Sequence, residues 1–285
     1  MPPTLPASIN TPFAPSSVAQ KKAEVRTTLH VFLVIARYEF RMQARRRSMW
    51  LIQLLLAPYT IIRPFVILVH DHPSALNAAL GAWAFSANTG LPILVGVFLA
   101  DRIPRDRASG VLDLLDAAPT PPLTRLLAKY AGATAASLLP VLALYAAGVI
   151  VLALAWHALA AIPLGIAAFL AINLPGLLFV AAFSVACPAL IWPPLYQLLF
   201  LGYYVWGNFF TSSTGIPSLS GTLLTPVGAY RSAAFFGYDP IIRRYLVPAD
   251  AAPWQGLVSI SLLLLCAALV LAGAWRYLLW RRARE

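Results

Sequence analysis

Side chains able to do chemistry are scarce in this sequence and crowd into one stretch. Residues 101–129 hold Asp101, Arg102, Arg105, Asp106, Arg107, Asp113, Asp116, Arg125 and Lys129, whereas residues 130–230 contain no Asp, Glu, Lys or Arg. Both charge signs alternate here, unlike the single-signed clusters that bind anionic lipid. Gly110 can break or start a helix. Val111, Leu114, Leu115 and Ala118 then form an apolar stripe with Asp113 and Asp116 beside it, and Pro119 and Pro121 end the turn. Such a short amphipathic element suits the docking of a partner protein. A solvated loop is the plainer alternative, but it would not require two aspartates on one side of a leucine-rich turn.

Other chemistry is largely excluded. The histidines His30, His70, His72 and His157 are scattered, and neither an H-E-x-x-H pair nor a carboxylate cluster occurs, so no catalytic or metal-binding residues are nominated. No G-x-x-x-x-G-K-[ST] phosphate loop is present, so the chain is not expected to hydrolyse ATP itself. Cys187 and Cys266 lie inside apolar runs and suggest neither a disulfide framework nor a metal site. The net charge of +11 is dispersed in short clusters beside apolar runs, which argues against nucleic acid as a partner.

The elements that must position these groups are transmembrane helices. The chain is 60% hydrophobic and 11% charged over 285 residues, with a mean hydropathy of +0.75. Charged residues normally make up about a quarter of a soluble domain. About 20 apolar residues cross a bilayer core, and on that measure six spans are expected, near 49–69, 79–100, 127–156, 162–187, 190–209 and 255–279. All but Arg63, Arg231, Arg243 and Arg244 of the 21 Lys and Arg residues fall in the N-terminal segment, in 101–129 or at the C-terminus. By the positive-inside rule both termini are then cytoplasmic, in a multi-pass plasma-membrane protein of bacterial type. Residues 1–26, rich in Pro, Ser and Thr and without a signal-peptide pattern, read as a disordered cytoplasmic tail, and 27–285 as a single helical domain.

Three further segments have individual character. Residues 30–47 form a helix on which Arg37, Arg41 and Arg45 make a basic stripe, Glu39 stands among them, and Val31, Ile35, Tyr38 and Met42 make an adjoining apolar face. This is the pattern of a helix lying in the cytoplasmic interface, and simple anchoring explains it as well as a mechanical role does. Arg63 is the one charge inside an apolar run. It falls about 21 Å along the helix from Met49, where an arginine can snorkel to the outer interface or, with Gln53 and Thr60, face protein and cargo. Residues 210–255 hold apolar pieces too short to span, consistent with re-entrant or interfacial helices over an outer vestibule.

Together these features resemble the ABC-2 type transporter permeases. The most specific piece is RDRASGVLDLLDAAPTPPLTRLLAKY, in which Arg107, Gly110, Leu112, Asp113, Leu115, Ala117, Pro119, Thr120 and Lys129 occupy places typical of the family. The family more often has Glu where Asp113 stands, and the turn CPALIWPP lacks the basic residues that relatives often place there. The resemblance covers about residues 30–282. It implies an exporter subunit that couples to a separate cytoplasmic ATPase, which binds the ATP, and pairs with a second permease copy as a homodimer or heterodimer. It makes Asp101, Arg102, Arg105, Asp106, Arg107, Gly110, Leu112, Asp113, Leu115, Asp116 and Pro119 the ATPase-coupling segment. In the family, spans two and five line the pathway, which nominates Ser86, Asn88 and Thr89 with Tyr203, Tyr204, Trp206 and Asn208 beside Arg63. Their aromatic, polar-dotted wall would suit hydrophobic or amphipathic cargo. The alternatives are an ion-coupled secondary transporter, which would usually carry acidic or histidine relay groups within its spans, a membrane enzyme, and a non-transporting scaffold that uses the same docking surface.

Overall fold

In the computed structural model the described residues are 17–71, 75–101, 121–210, 218–238 and 251–284, and all their regular elements are helices. In chain order these are α1 (Ser17–Ala44), α2 (Arg47–Val66, continuing as a π turn over Ile67–Asp71), α3 (Leu76–Leu99) and α4 (Pro122–Ala155). Next come α5 (Ala161–Ala168), a π turn (Phe169–Asn173), α6 (Leu174–Ala186), α7 (Pro193–Phe209), α8 (Ala229–Phe236) and α9 (Pro253–Arg282).

Among the described residues five stretches are long and apolar enough to cross a membrane: Arg47–Val69, Leu76–Leu99, Pro122–Ala155, Ala161–Ala189 and Pro253–Arg281. The run expected as a sixth span, 190–209, begins later than its composition suggests. Residues Cys187–Ala189 form a 3-10 turn, and Pro193 and Pro194, which have no N–H to return to a preceding turn, open a helix of 17 residues. At 1.5 Å per residue α7 is about 25 Å long, short of a hydrocarbon core of about 30 Å. The N-terminal boundary also shifts. Helix α1 begins at Ser17 rather than at 30, because Ala, Gln, Lys, Glu and Arg between 17 and 26 are good helix formers. Of the tail expected over 1–26, residues 17–26 are helical, and residues 1–16 lie outside the described residues.

Helix α3 is the axis of the bundle. Trp83, Ala84, Ala87, Asn88, Leu91, Val95 and Leu99 along it are all nearly or fully inaccessible, and α4, α6, α7 and α8 pack around it. Helix α4 reaches α3 through a ring stack. The Trp83 indole N–H donates to the Tyr145 carbonyl at 3.0 Å, and the two rings stack with centroids 6.1 Å apart. A methyl group at Gly148 would run into the Trp83 ring. Gly148→Ala is therefore expected to destabilise by about 1–3 kcal/mol, although Gly→Ala in an open helix position is stabilising. Gly273→Ala in α9, where a Cβ meets nothing within 4 Å, is the control. Thermal unfolding in detergent should fall for the first and not for the second.

Helix α1 also lies differently from its sequence picture. Arg37, Arg41 and Arg45 are exposed as the basic stripe requires, but Tyr38, assigned to the apolar face, is 65% exposed. The face turned into the protein carries Glu39 and Gln43 instead. Glu39 pairs with Lys129 of α4 at 3.0 Å, and Gln43 Nε2 donates to Ser137 Oγ at 3.2 Å. Gly132 allows the approach, since a side chain there would meet the Ala36 carbonyl.

Candidate functional site

Expected site residues gather in two places. The first is at the roots of segment 102–120. Just before it, Arg46 grips Asp101 at the end of α3 with both guanidinium nitrogens, at 3.1 and 2.7 Å, and also reaches the Phe98 carbonyl at 3.4 Å. Paired N–H bonds of this kind fix orientation as well as charge. Beyond it, about two turns into α4, Lys129 pairs with Glu39, both side chains under 10% exposed. The short link from α1 to α2 and the face of α1 thus hold the two ends of the charged segment. Of the nominated coupling residues, Asp101 is described. Arg102, Arg105, Asp106, Arg107, Gly110, Leu112, Asp113, Leu115, Asp116 and Pro119 lie outside the described residues.

The second place is one turn of α3, Ser86 to Thr89. Asn88 is the thirteenth residue of this 24-residue helix, so it sits near mid-span, about 18 Å from the helix start. Its side chain is fully buried, and its Nδ2 donates to the carbonyls of Pro226 at 2.6 Å, Val227 at 3.0 Å and Ile172 at 3.3 Å. Ile172 belongs to the π turn, where the Leu174 N–H reaches back five residues to Phe169 O. Pro175 lacks the N–H that a regular ladder would return to that turn, a setting in which a ladder can slip by one residue. Asn173 Nδ2 donates to Ala84 O at 3.0 Å, joining the same π turn to α3 a second time.

From α7, Tyr204 O–H donates to the Asn88 carbonyl at 2.8 Å, Asn208 Nδ2 to Tyr204 O at 2.7 Å, and Thr225 Oγ1 to Asn208 Oδ1 at 2.8 Å. From α2, Arg63 Nε donates to Ser86 Oγ at 3.1 Å and Tyr59 O–H to Ser86 O at 3.0 Å. Thr89 turns back on its own helix, donating to Ser86 O at 2.6 Å. Arg63 is therefore bonded inward to α3.

Asn88, Tyr204 and Asn208 thus belong to one closed network that clamps residues 225–227 onto α3. Tyr203 and Trp206, nominated with them, do not join it. Tyr203 is 54% exposed, and Trp206 stacks on Phe210 with centroids 4.5 Å apart. Helix periodicity explains the division, because residues 204 and 208 share one face of α7 while 203 lies on another.

One member of the network went unnominated at the sequence level. Arg231 of α8 is fully buried, and its Nη2 donates to the Pro226 carbonyl at 2.7 Å, the same oxygen that Asn88 holds. In the sequence it counts as one of a few basic residues in a region between spans, and no local pattern marks it as internal. Gly228, free to adopt its φ of +91°, is the one local hint of the tight turn that brings it inward.

Compared with known proteins, the chain matches no family model and no curated protein, so its functional reading rests on these residues and on the distribution of its charge.

Proposed function

We propose that this chain is the membrane permease subunit of an ATP-driven exporter of the ABC-2 type, working with a separate cytoplasmic ATPase and a second permease copy. The observation that carries the reading is the bracing of both ends of the two-signed segment 102–120, by Arg46–Asp101 on one side and Glu39–Lys129 on the other. A segment that only closed a loop would need no such anchorage. One on which a motor pushes needs its force carried into α3 and α4. Residues 1–285 contain no phosphate loop, so in this reading the motor lies outside them.

In this reading α7 is a crossing too, fifth in chain order, which brings the total to six, its 17 residues accommodated by local thinning of the bilayer. Six crossings bring both termini to the side that holds most of the Lys and Arg residues, the cytoplasmic face of a bacterial-type plasma membrane. The uncharged turn at 187–194 supplies no second charged contact for the ATPase.

The test is co-purification with candidate ATPases, followed by Gly110→Val, Asp113→Lys and Asp116→Lys. Each is expected to weaken the complex on the order of tenfold or more, as the loss of a central interface residue does, and to uncouple ATP turnover from transport. Unchanged complex formation and coupled turnover would sink the reading.

A further inference from the structure

The outward side of α1 carries charge of one sign only. Glu39, the only acid between Thr28 and Ala44, is buried against α4 in its pair with Lys129. Two residues along a helix is about 200° around it, so Arg37 and Arg41 stand on the side turned away from α4, and Arg45 follows one turn on. All three are exposed, and among the described residues no acid pairs with any of them. Like charges at i, i+4 and i+8 destabilise the helix that carries them, and an anionic neighbour offsets that repulsion.

This side is not a plain solvated face. Leu29, Leu33, Val34 and Tyr38 flank the arginine row, and each is more than half exposed. They are largely not the residues that the linear pattern assigned to lipid, since Val31, Ile35 and Met42 are partly covered by the protein. A basic row between apolar flanks matches a membrane boundary, where apolar side chains reach hydrocarbon and arginines stay among headgroups.

The place where α1 crosses the bundle agrees. Helix α4 has 34 residues, about 51 Å at 1.5 Å per residue, against a hydrocarbon core of about 30 Å. Its charges, Arg125 and Lys129, stand in its first turns, and Tyr130 to Ala155 carries none. The surplus length therefore lies at the N-terminal end. Helix α1 meets α4 through Lys129, Gly132 and Ser137, where the charge ends and the uncharged run begins. Beside the end of α1, the partly exposed Trp50 donates its indole N–H to the Ala44 carbonyl at 2.8 Å, a residue type enriched at membrane interfaces.

We propose that the outward face of α1 docks on anionic lipid headgroups of the bilayer, with Arg37, Arg41 and Arg45 as the headgroup-contacting row and the flanking apolar residues in the acyl boundary. The inference needs only that the chain is a membrane protein, so it stands apart from the exporter reading. An ATPase is the rival occupant. The two-signed segment suited to a protein partner is 102–120, however, whereas this face offers no acid and much apolar surface.

The probes are dioctanoyl phosphatidylglycerol, which is anionic, and dioctanoyl phosphatidylcholine, which has no net charge. Each is titrated against the full chain in maltoside detergent, with thermal unfolding as the readout. Wild type is expected to bind the anionic lipid about tenfold or more tighter, because each arginine near an anionic surface adds to the attraction. With Arg37→Gln, Arg41→Gln and Arg45→Gln combined, the two lipids should stabilise equally. A wild type without preference, or a glutamine variant with the wild-type preference, overturns the proposal. So does a glutamine variant that keeps the lipid preference but no longer co-purifies with an ATPase, which gives the face to the motor. If the glutamine variant does not assemble, Arg41→Glu alone is read in the same way, a reduced preference supporting the proposal and an undiminished one overturning it. Lipid binding is read without an ATPase, so its failure leaves the docking of 102–120 untouched.

Discussion

Asn88→Leu is expected to lower the unfolding free energy by about 3–5 kcal/mol and to abolish transport while the complex with the ATPase survives. One side chain holds three carbonyls, on Pro226, Val227 and Ile172. A leucine of similar size would leave those acceptors without it in a site closed to water. Each buried acceptor left without a partner costs about 1–3 kcal/mol. Pro226 keeps its bond from Arg231, so the loss falls mainly on Val227 and Ile172. The clamp lies midway along α3, whereas the proposed docking segment begins after Asp101, at the C-terminal end of that helix. The two functions should therefore separate. Thermal unfolding in detergent, pull-down of the ATPase and vesicle transport measure the three parts. A variant that still transports would show that residues 225–227 do not need the clamp.

Glu39→Leu should have a comparable effect at the other site. Both members of its pair with Lys129 are buried, at 6% and 8% exposure. Removing one member of a buried pair typically costs about 3–5 kcal/mol. Replacing both, as in Glu39→Leu with Lys129→Met, is expected to recover most of the stability, because two apolar side chains carry no desolvation penalty. Coupling should not recover with it. If the pair transmits force between α1 and α4, the double variant unfolds near the wild-type temperature yet turns over ATP without transport. Full recovery of both would make the pair purely structural.

What the linear sequence determined is what the bilayer enforces. Inside hydrocarbon every backbone N–H and C=O must be satisfied within its own segment, so a long apolar run has to be a helix. Five helices long and apolar enough to cross, the break near His157 and the short helical piece after residue 210 were accordingly legible from composition, Pro and Gly. The charged segment between α3 and α4 was legible too, because it stands alone in an apolar chain.

What only the tertiary structure decided is which polar side chains meet. Asn88 and the carbonyls it holds are up to 139 residues apart in sequence, and Glu39 and Lys129 belong to helices whose apolar patterns do not reveal which face is buried. A helix in lipid can turn an apolar face either to protein or to acyl chains at similar cost, so periodicity does not choose between them. That is why Glu39 read as part of an interfacial stripe and proved to be a core ion pair. It is also why Arg63 drew attention as the one intramembrane charge while Arg231, counted with the loops, proved to be the fully buried one.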